Sequence, residues 1–278
     1  MVAFAANSVL ARLALGTGEA EALGYTGLRM VSGALALGAI LWLRGDWRPG
    51  RAIAGSWAGA AALFGYAIAF SLAYLALDAG TGALILFSSV QAGMLIWAIR
   101  RGERPPALGW AGFVVAFVAL VYLLSPGLSA PDPLGAGLMA LAGLCWAGYS
   151  LIGRGSRAPM ADTAGNFIRC LPVALAVAAV GIVWQAPSPA GFTYAVASGA
   201  AASGLGYAVW YSVLPHLPRS SAAFVQLTVP AIAAAGGVAF IGEALSMRLL
   251  LASVGILGGV ALALYAAERG ISRGAGRR

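Results

Sequence analysis

Ser88 and Gln91 stand three residues apart inside the apolar run ILFSSVQAGMLIW, and Gln226 and Thr228 precede Pro230 in a second such run. Hydroxyls and amides in apolar surroundings have two uses: they bind a polar guest, or they form an interhelical hydrogen bond worth on the order of 0.6–2 kcal/mol. Residues three apart share a helix face, so Ser88 and Gln91 act together. Pro230 removes a backbone donor and is expected to kink its helix. Tyr66 and Phe70 form one aromatic group, and Tyr207, Trp210 and Tyr211 form another, each at spacings that gather rings on one face. Facing rings suit an amphipathic guest, by stacking and by cation–π attraction to an ammonium group; the competing use is ordinary helix packing. The chemistry on offer is reversible recognition of a small molecule.

The elements that carry these residues must be membrane helices. Hydrophobic residues make up 61% of the chain and charged ones 9%, against about 45–50% and about 25% in soluble domains. A helix crosses the hydrocarbon layer with about 20 mainly apolar residues. The sequence offers such runs at 1–15, 24–43, 52–77, 80–99, 107–124, 134–153, 162–184, 190–214, 221–241 and 249–267. Stretches such as VSGALALGAILWL are apolar on every side, which excludes the alternating polarity of a β-barrel. The expected fold class is therefore an all-α polytopic membrane protein of ten transmembrane helices. No cleavable signal peptide is expected, because no basic leader precedes the first apolar run. Cys145 and Cys170 fall inside apolar runs and read as small core residues.

One phrase is written twice. Residues 4 to 12 read FAANSVLAR and residues 146 to 154 read WAGYSLIGR. The correspondence continues with Arg29 and Arg169, Gly65-Tyr66 and Gly206-Tyr207, Ser71 and Ser212, Ser89-Val90 and Thr228-Val229, and Gly102-Glu103 and Gly242-Glu243. Asn7 and Tyr149 take the same place in the phrase, and both are expected to line the site, with packing at the pseudo-symmetry axis as the equal alternative. The resulting set of substrate-binding candidates is Asn7, Tyr66, Ser88, Gln91, Tyr149, Tyr207, Trp210, Tyr211, Gln226 and Thr228.

Five helices per copy is an odd number, so the second copy runs upside down relative to the first. Two inverted five-helix repeats are expected, over 1–124 and 134–268, joined by an external linker at 125–133 and followed by a basic tail at 269–278. The charges agree: Arg44, Arg48 and Arg51, then Arg100, Arg101 and Arg104, then Arg154 and Arg157, then Arg219 and the tail alternate with Arg-poor breaks. By the positive-inside rule the Arg-rich breaks and both termini are cytoplasmic, in an inner (plasma) membrane. The net charge of +8 is then a topology signal, and because the arginines are scattered over separate loops it is no nucleic-acid footprint. Inverted repeats of this kind are a hallmark of secondary transporters, in which two like halves exchange conformations around a midplane site.

The five-span unit repeated in opposite orientation, its aromatic-small-x-Ser phrase ending in Arg, the Arg in the second span and the Gly-Glu before the fifth resemble the EamA-type transporters of the drug/metabolite transporter superfamily. The resemblance implies a ten-helix exporter of small metabolites, with amino-acid export recurrent, and a central cavity between the repeats. The first helix departs from the pattern: the counterpart of Leu134 falls before Met1, which leaves its cytoplasmic end open. Arg29 and Arg169 lie several residues inside their helices. Each is expected to snorkel or to bind carbonyls at a helix end, with a substrate carboxylate as the alternative partner. Glu103 and Glu243 are expected to favour the N-termini of the fifth and tenth helices.

Several classes fall away. No acidic residue sits in mid-span and the single histidine, His216, lies near a helix end, so uniport or substrate exchange is expected rather than proton coupling. The chain has no lysine for a retinal Schiff base, no HExxH, no histidine placed to activate Ser203, and no GK[ST] loop, which argues against a light-driven pump, an enzyme and an ATP motor. No cofactor and no metal are called for. The expected partners are a small-molecule substrate, an amino acid or similar metabolite, and the lipid bilayer. A nucleotide-sugar or other anionic substrate is the alternative within transport, and would bring arginines to the cavity floor. A non-transporting scaffold or receptor is the alternative outside it, and would show a packed centre.

Overall fold

The computed structural model describes residues 1–46, 53–103, 105–127, 130–213, 216 and 225–275, without the side chains of Tyr211 and residues 267–275. The helices are α1 (Val2–Leu15), α2 (Ala22–Leu43), α3 (Trp57–Ala73), α4 (Ala79–Arg100), α5 (Ala107–Leu124), α6 (Pro133–Ile152) and α7 (Pro159–Trp184). Then α8 (Pro189–Val196) passes through a π-helical segment, Ala197–Leu205, into α9 (Gly206–Val213). Next, α10 (Thr228–Gly236) passes into a second π segment, Gly237–Ile241, and α11 (Met247–Ala275) ends the description. No strand occurs among the described residues. Six of these helices, α2, α4, α5, α6, α7 and the Met247–Ala266 part of α11, are long and apolar enough to cross a membrane.

Local chemistry sets the helix starts. The Glu21 carboxylate accepts from the backbone N–H of Leu23 (2.7 Å) and Gly24 (3.0 Å), Ser56 Oγ accepts from Gly59, and Asp132 accepts from Gly135. These are N-caps, which satisfy donors that the first turn leaves free. Proline opens α6, α7 and α8, where its missing N–H costs nothing. The same logic corrects the kink expected at Pro230. The chain breaks at Leu227, α10 starts at Thr228, and Pro230 therefore sits in a first turn, where no donor is needed. By contrast α7 is continuous across Pro172.

Small residues let the backbones touch, and the touching pairs run antiparallel. Along α2 and α7, Gly24 meets Gly181, Gly27 meets Ala174 and Ala178, and Gly33 meets Phe167. Along α4 and α10, Gly80 meets Ala234, while Gly237, just beyond α10, meets Ala79. Along α5 and α11, a Cβ on Gly112 would come within 2.4 Å of the Gly259 carbonyl oxygen, and one on Gly259 within 2.5 Å of the Gly112 oxygen. Close approach of this kind maximises van der Waals contact, the main attraction left between helices in lipid. Outward faces stay apolar: Val114, Phe117 and Val118 on α5, Val180 and Val183 on α7, and Leu251 and Val254 on α11 are exposed. These belts fit a multi-pass membrane protein.

The Gly112–Gly259 crossing has no slack, because backbone atoms cannot swing aside. Gly112→Val is expected to cost about 1–3 kcal/mol, the range for overpacking, and to lower the unfolding midpoint in detergent. Gly258→Val, at a glycine with open space beside it, should leave that midpoint unchanged.

Candidate functional site

Four helices bring aromatic rings to one place. Trp146 on α6 lies 4.9 Å from Tyr66 on α3, 5.3 Å from Tyr149 and 5.7 Å from Tyr207 on α9, centroid to centroid. Phe4 on α1 extends the group to Tyr207 at 5.6 Å and to Trp210 at 6.0 Å, and Phe70 joins through Tyr66 at 5.3 Å. Tilted and edge-on rings at 4.5–7 Å are the favoured aromatic geometries. Trp146 and Phe4 hold the aromatic first position of the duplicated phrase, so that phrase carried the signal for the hub of the cluster.

Arg29 of α2 enters this cluster from the side. It is 2% exposed, with its Cζ 4.8 Å from the Phe70 ring centre and 5.4 Å from that of Tyr66. Nη2 donates to Tyr66 Oη at 3.1 Å. Among the described residues Nη1 has no hydrogen-bond partner, and the fully buried Tyr25 Oη one helical turn away makes no hydrogen bond of good geometry, with Ser198 beside it. The expectation that Arg29 snorkels is thus overturned: α2 turns the side chain inward, and the rings of α3 close over it. Arg169 behaves as expected, since its guanidinium donates to the carbonyls of Ile53, Ala54 and Gly165.

Asn7 is buried at the edge of the same centre, where its Oδ1 accepts from Ser198 Oγ (2.8 Å) and Ser203 Oγ (3.4 Å). Two serines five apart would point about 140° away from each other on an α-helix. In a π segment, whose bonds close i to i+5, they come much closer to one face. Tyr149 Oη donates to Thr163 Oγ1 at 3.0 Å. Tyr66, Tyr149, Tyr207 and Trp210 are therefore brought together, while Asn7, one helical turn from Phe4, makes its contacts with the π segment.

The remaining candidates are not brought in. Ser88 Oγ donates to the Leu84 carbonyl of its own helix, and Thr228 is exposed with its hydroxyl on the Val225 carbonyl. Ser88 and Gln91 line a crevice with Leu227, Ile256 and Val260 that is too narrow for a water molecule. Gln226 is half-buried. Among the described residues, no hydrogen bond links these four to the aromatic centre. The Tyr211 side chain lies outside the described residues.

A second polar group ties the two halves of the chain at one end. Arg12 Nε donates to Glu243 Oε1 at 3.1 Å, and Arg12 Nη2 lies 3.5 Å from Asp78. Glu243 also accepts from the backbone N–H of Ala79, at 3.0 and 3.1 Å. Glu243 therefore caps α4, against the expectation that it serves its own following helix. The reason lies in Gly242, whose φ of +77° turns the chain back toward α4. Burial pushes the Glu243 carboxyl up from its ordinary value and Asp78 adds to this, while the Ala79 N–H and Arg12 pull it back. The repeat counterparts differ. Gly102 has a matching φ of +82°, yet Glu103 and Arg154 are both exposed, and no described residue pairs with either. Glu103 caps no helix here, because Pro106 occupies the N-cap of α5.

The geometry can be set beside known proteins. Residues 133–265 match the EamA-like transporter family. An uncharacterized protein of Pseudomonas aeruginosa is 50% identical over 264 residues, covering 95% of this chain and 91% of that protein. The threonine/homoserine exporter RhtA of Salmonella typhimurium is 33% identical over 174 residues, 59% of this chain and 57% of the exporter. The match thus spans little more than half of that exporter. A solved crystal structure shares the fold, with a TM-score of 0.64 and 23% sequence identity over 96% of this chain and 97% of that one. The chain thus carries an EamA-like transporter family domain over residues 133–265.

Proposed function

We propose that the protein is a secondary transporter of the inner membrane that exports amino acids or similar small metabolites by alternating access. It has ten helices in two inverted repeats, 1–124 and 134–268, with both termini in the cytoplasm. The packing is consistent with the inversion. The register that aligns Arg29 with Arg169 also aligns Gly27 with Phe167 and Ala34 with Ala174. Gly27 packs on Ala174, and Phe167 packs on Gly33, one position from Ala34. A contact that falls within one position of its own image is compatible with a two-fold axis between the halves, as is any antiparallel pairing of these two helices.

The observation that carries the reading is the asymmetry of two like elements. At the end assigned to the outside, Arg12 and Glu243 are joined and close α1 onto α4. At the end assigned to the cytoplasm, Arg154 and Glu103 are apart. One closure made and its twin unmade is the arrangement of a rocking transporter caught facing one side. A scaffold needs no such difference. The packed aromatic centre is the feature expected of a non-transporting scaffold, and it stands against this reading. The amino-acid class is supported by the likeness to an exporter of threonine and homoserine.

The test is counterflow. Purified protein in liposomes loaded with one unlabelled amino acid is given its labelled form outside, with and without a pH gradient. Labelled uptake without the gradient is expected for at least one of threonine, homoserine, leucine and phenylalanine. No exchange of any amino acid by folded protein overturns the substrate assignment.

A further inference from the structure

Arg29 cannot shed its charge, since a guanidinium stays protonated in proteins. It has five N–H donors and no acceptor, yet one bond, to Tyr66 Oη, is its only hydrogen bond among the described residues. It takes part in no ion pair there. A buried charge without a counter-ion is costly, and well-packed apolar residues usually replace such groups without loss. A side chain with only a packing role would be better served by Met or Leu. The cation–π contacts to Phe70 and Tyr66 offset part of the cost. They leave the Nη1 edge free among the described residues.

We propose that Nη1 of Arg29 receives the carboxylate of the transported molecule, with Tyr25 Oη donating to the same group. This rests on the transporter reading. The fork of a guanidinium matches a carboxylate, and the rings of Tyr66, Trp146 and Tyr207 take the remainder of the molecule. A phosphate or nucleotide is disfavoured on charge: no second buried cation occurs among the described residues, and Arg169 is committed to carbonyls. The substrate class is therefore a monocarboxylate. It comes from one of two sources: zwitterionic amino acids, or simple carboxylic acids with no ammonium group.

The experiment compares acids with their amides. Native protein in detergent is titrated with threonine, leucine and phenylalanine, with the corresponding amides, and with 3-phenylpropanoate, and binding is read by tryptophan fluorescence. At least one acid is expected to bind tenfold or more tightly than its amide. That ratio should fall to about one in Arg29→Gln and recover in part in Arg29→Lys, which keeps the charge without the fork. A ratio is insensitive to the fraction of variant that folds. Tight binding of 3-phenylpropanoate assigns the simple acid; binding of phenylalanine alone assigns the zwitterion. Acid and amide binding alike to native protein, or an unchanged ratio in Arg29→Gln, overturns the proposal. Amide counterflow at an Arg29-independent rate does so as well, and leaves the transporter reading standing. Absence of binding and of exchange for every probe overturns both.

Discussion

Glu243→Ala is expected to cut counterflow at least tenfold and to open the buried side of α4 to solvent. The carboxylate holds two groups at once, the Arg12 guanidinium and the first N–H of α4, and its removal leaves both short of a partner. Hydrogen bonds to charged groups contribute about 1.5–3 kcal/mol each. A shift of about 1.4 kcal/mol in a two-state equilibrium is already tenfold in population. Arg12→Ala should have a similar effect, and the double variant should be no worse than either single, because the two side chains act as one unit. Asp78 is too exposed to substitute for Glu243: its side chain is 53% exposed against 10%.

The readout is a cysteine at Ala83, which is fully buried one turn beyond Ala79, placed in protein whose Cys145 and Cys170 have been replaced. A membrane-impermeant maleimide should label it in Glu243→Ala and not in the parent. Labelling that is equal in the two removes the closure role. Acidity gives a second handle. The Glu243 carboxyl is raised in this conformer, so the conformer holds its proton more tightly than a solvated glutamate does. Its linked stability is present below the ordinary glutamate range and is lost as pH rises through the raised value. Lowering the pH through that window should favour the closed side, and Glu243→Gln should flatten the dependence. Arg12 and Asp78 are the charged groups facing it.

The sequence announced what depends on local composition. Apolar runs placed the helices: α5 falls at 107–124 as expected, and α3 is shorter than its run because Ser56 caps it and Gly55 turns the chain at φ +84°. Repetition pointed to Asn7 and Tyr149; Phe4 and Trp146 stand in the same phrase but were not among the candidates, although Trp146 is the hub of the ring cluster. Depth and direction were another matter. Nothing in the spacing of Arg29 and Arg169 distinguishes them, yet one points into a ring cage and the other to loop carbonyls. That difference arises from what packs on each helix, not from the helix itself. The partner of Glu243 lies 164 residues away in the chain, and only the left-handed turn at Gly242 brings it there. The hydroxyl and amide candidates on α4 and around the start of α10 rest on depth in apolar runs, on the face shared by Ser88 and Gln91 and on the nearness of Pro230, none of which fixes a rotamer. Their side chains could turn to their own backbones, as Ser88 and Thr228 do.

Gly199→Val is expected to abolish the folded protein or leave it severely weakened, because Gly199 is where the π segment touches α2. A Cβ there would lie 2.0 Å from Ser32 Oγ and 2.1 Å from the Arg29 carbonyl oxygen. The hydroxyl can rotate but the carbonyl cannot, since it belongs to an intact helix. Gly33 and Gly204 continue the same close approach, so no neighbouring position can absorb the displacement. Overpacking costs about 1–3 kcal/mol, and more where backbone is struck. For a chain of this size each kcal/mol corresponds to about 2–4 °C, so a fall of roughly 6–12 °C is expected if any folded protein survives. Ser198→Ala gives the scale by contrast: it removes one hydrogen bond to Asn7 while Ser203 remains, a loss of about 1 kcal/mol. Gly137→Val, at a position with open space, controls for valine in a helix. The displaced atom is the backbone of Arg29, so any surviving Gly199→Val protein should also lose the preference for acid over amide. Survival with both stability and that preference intact would mean that the π segment does not hold Arg29 in place.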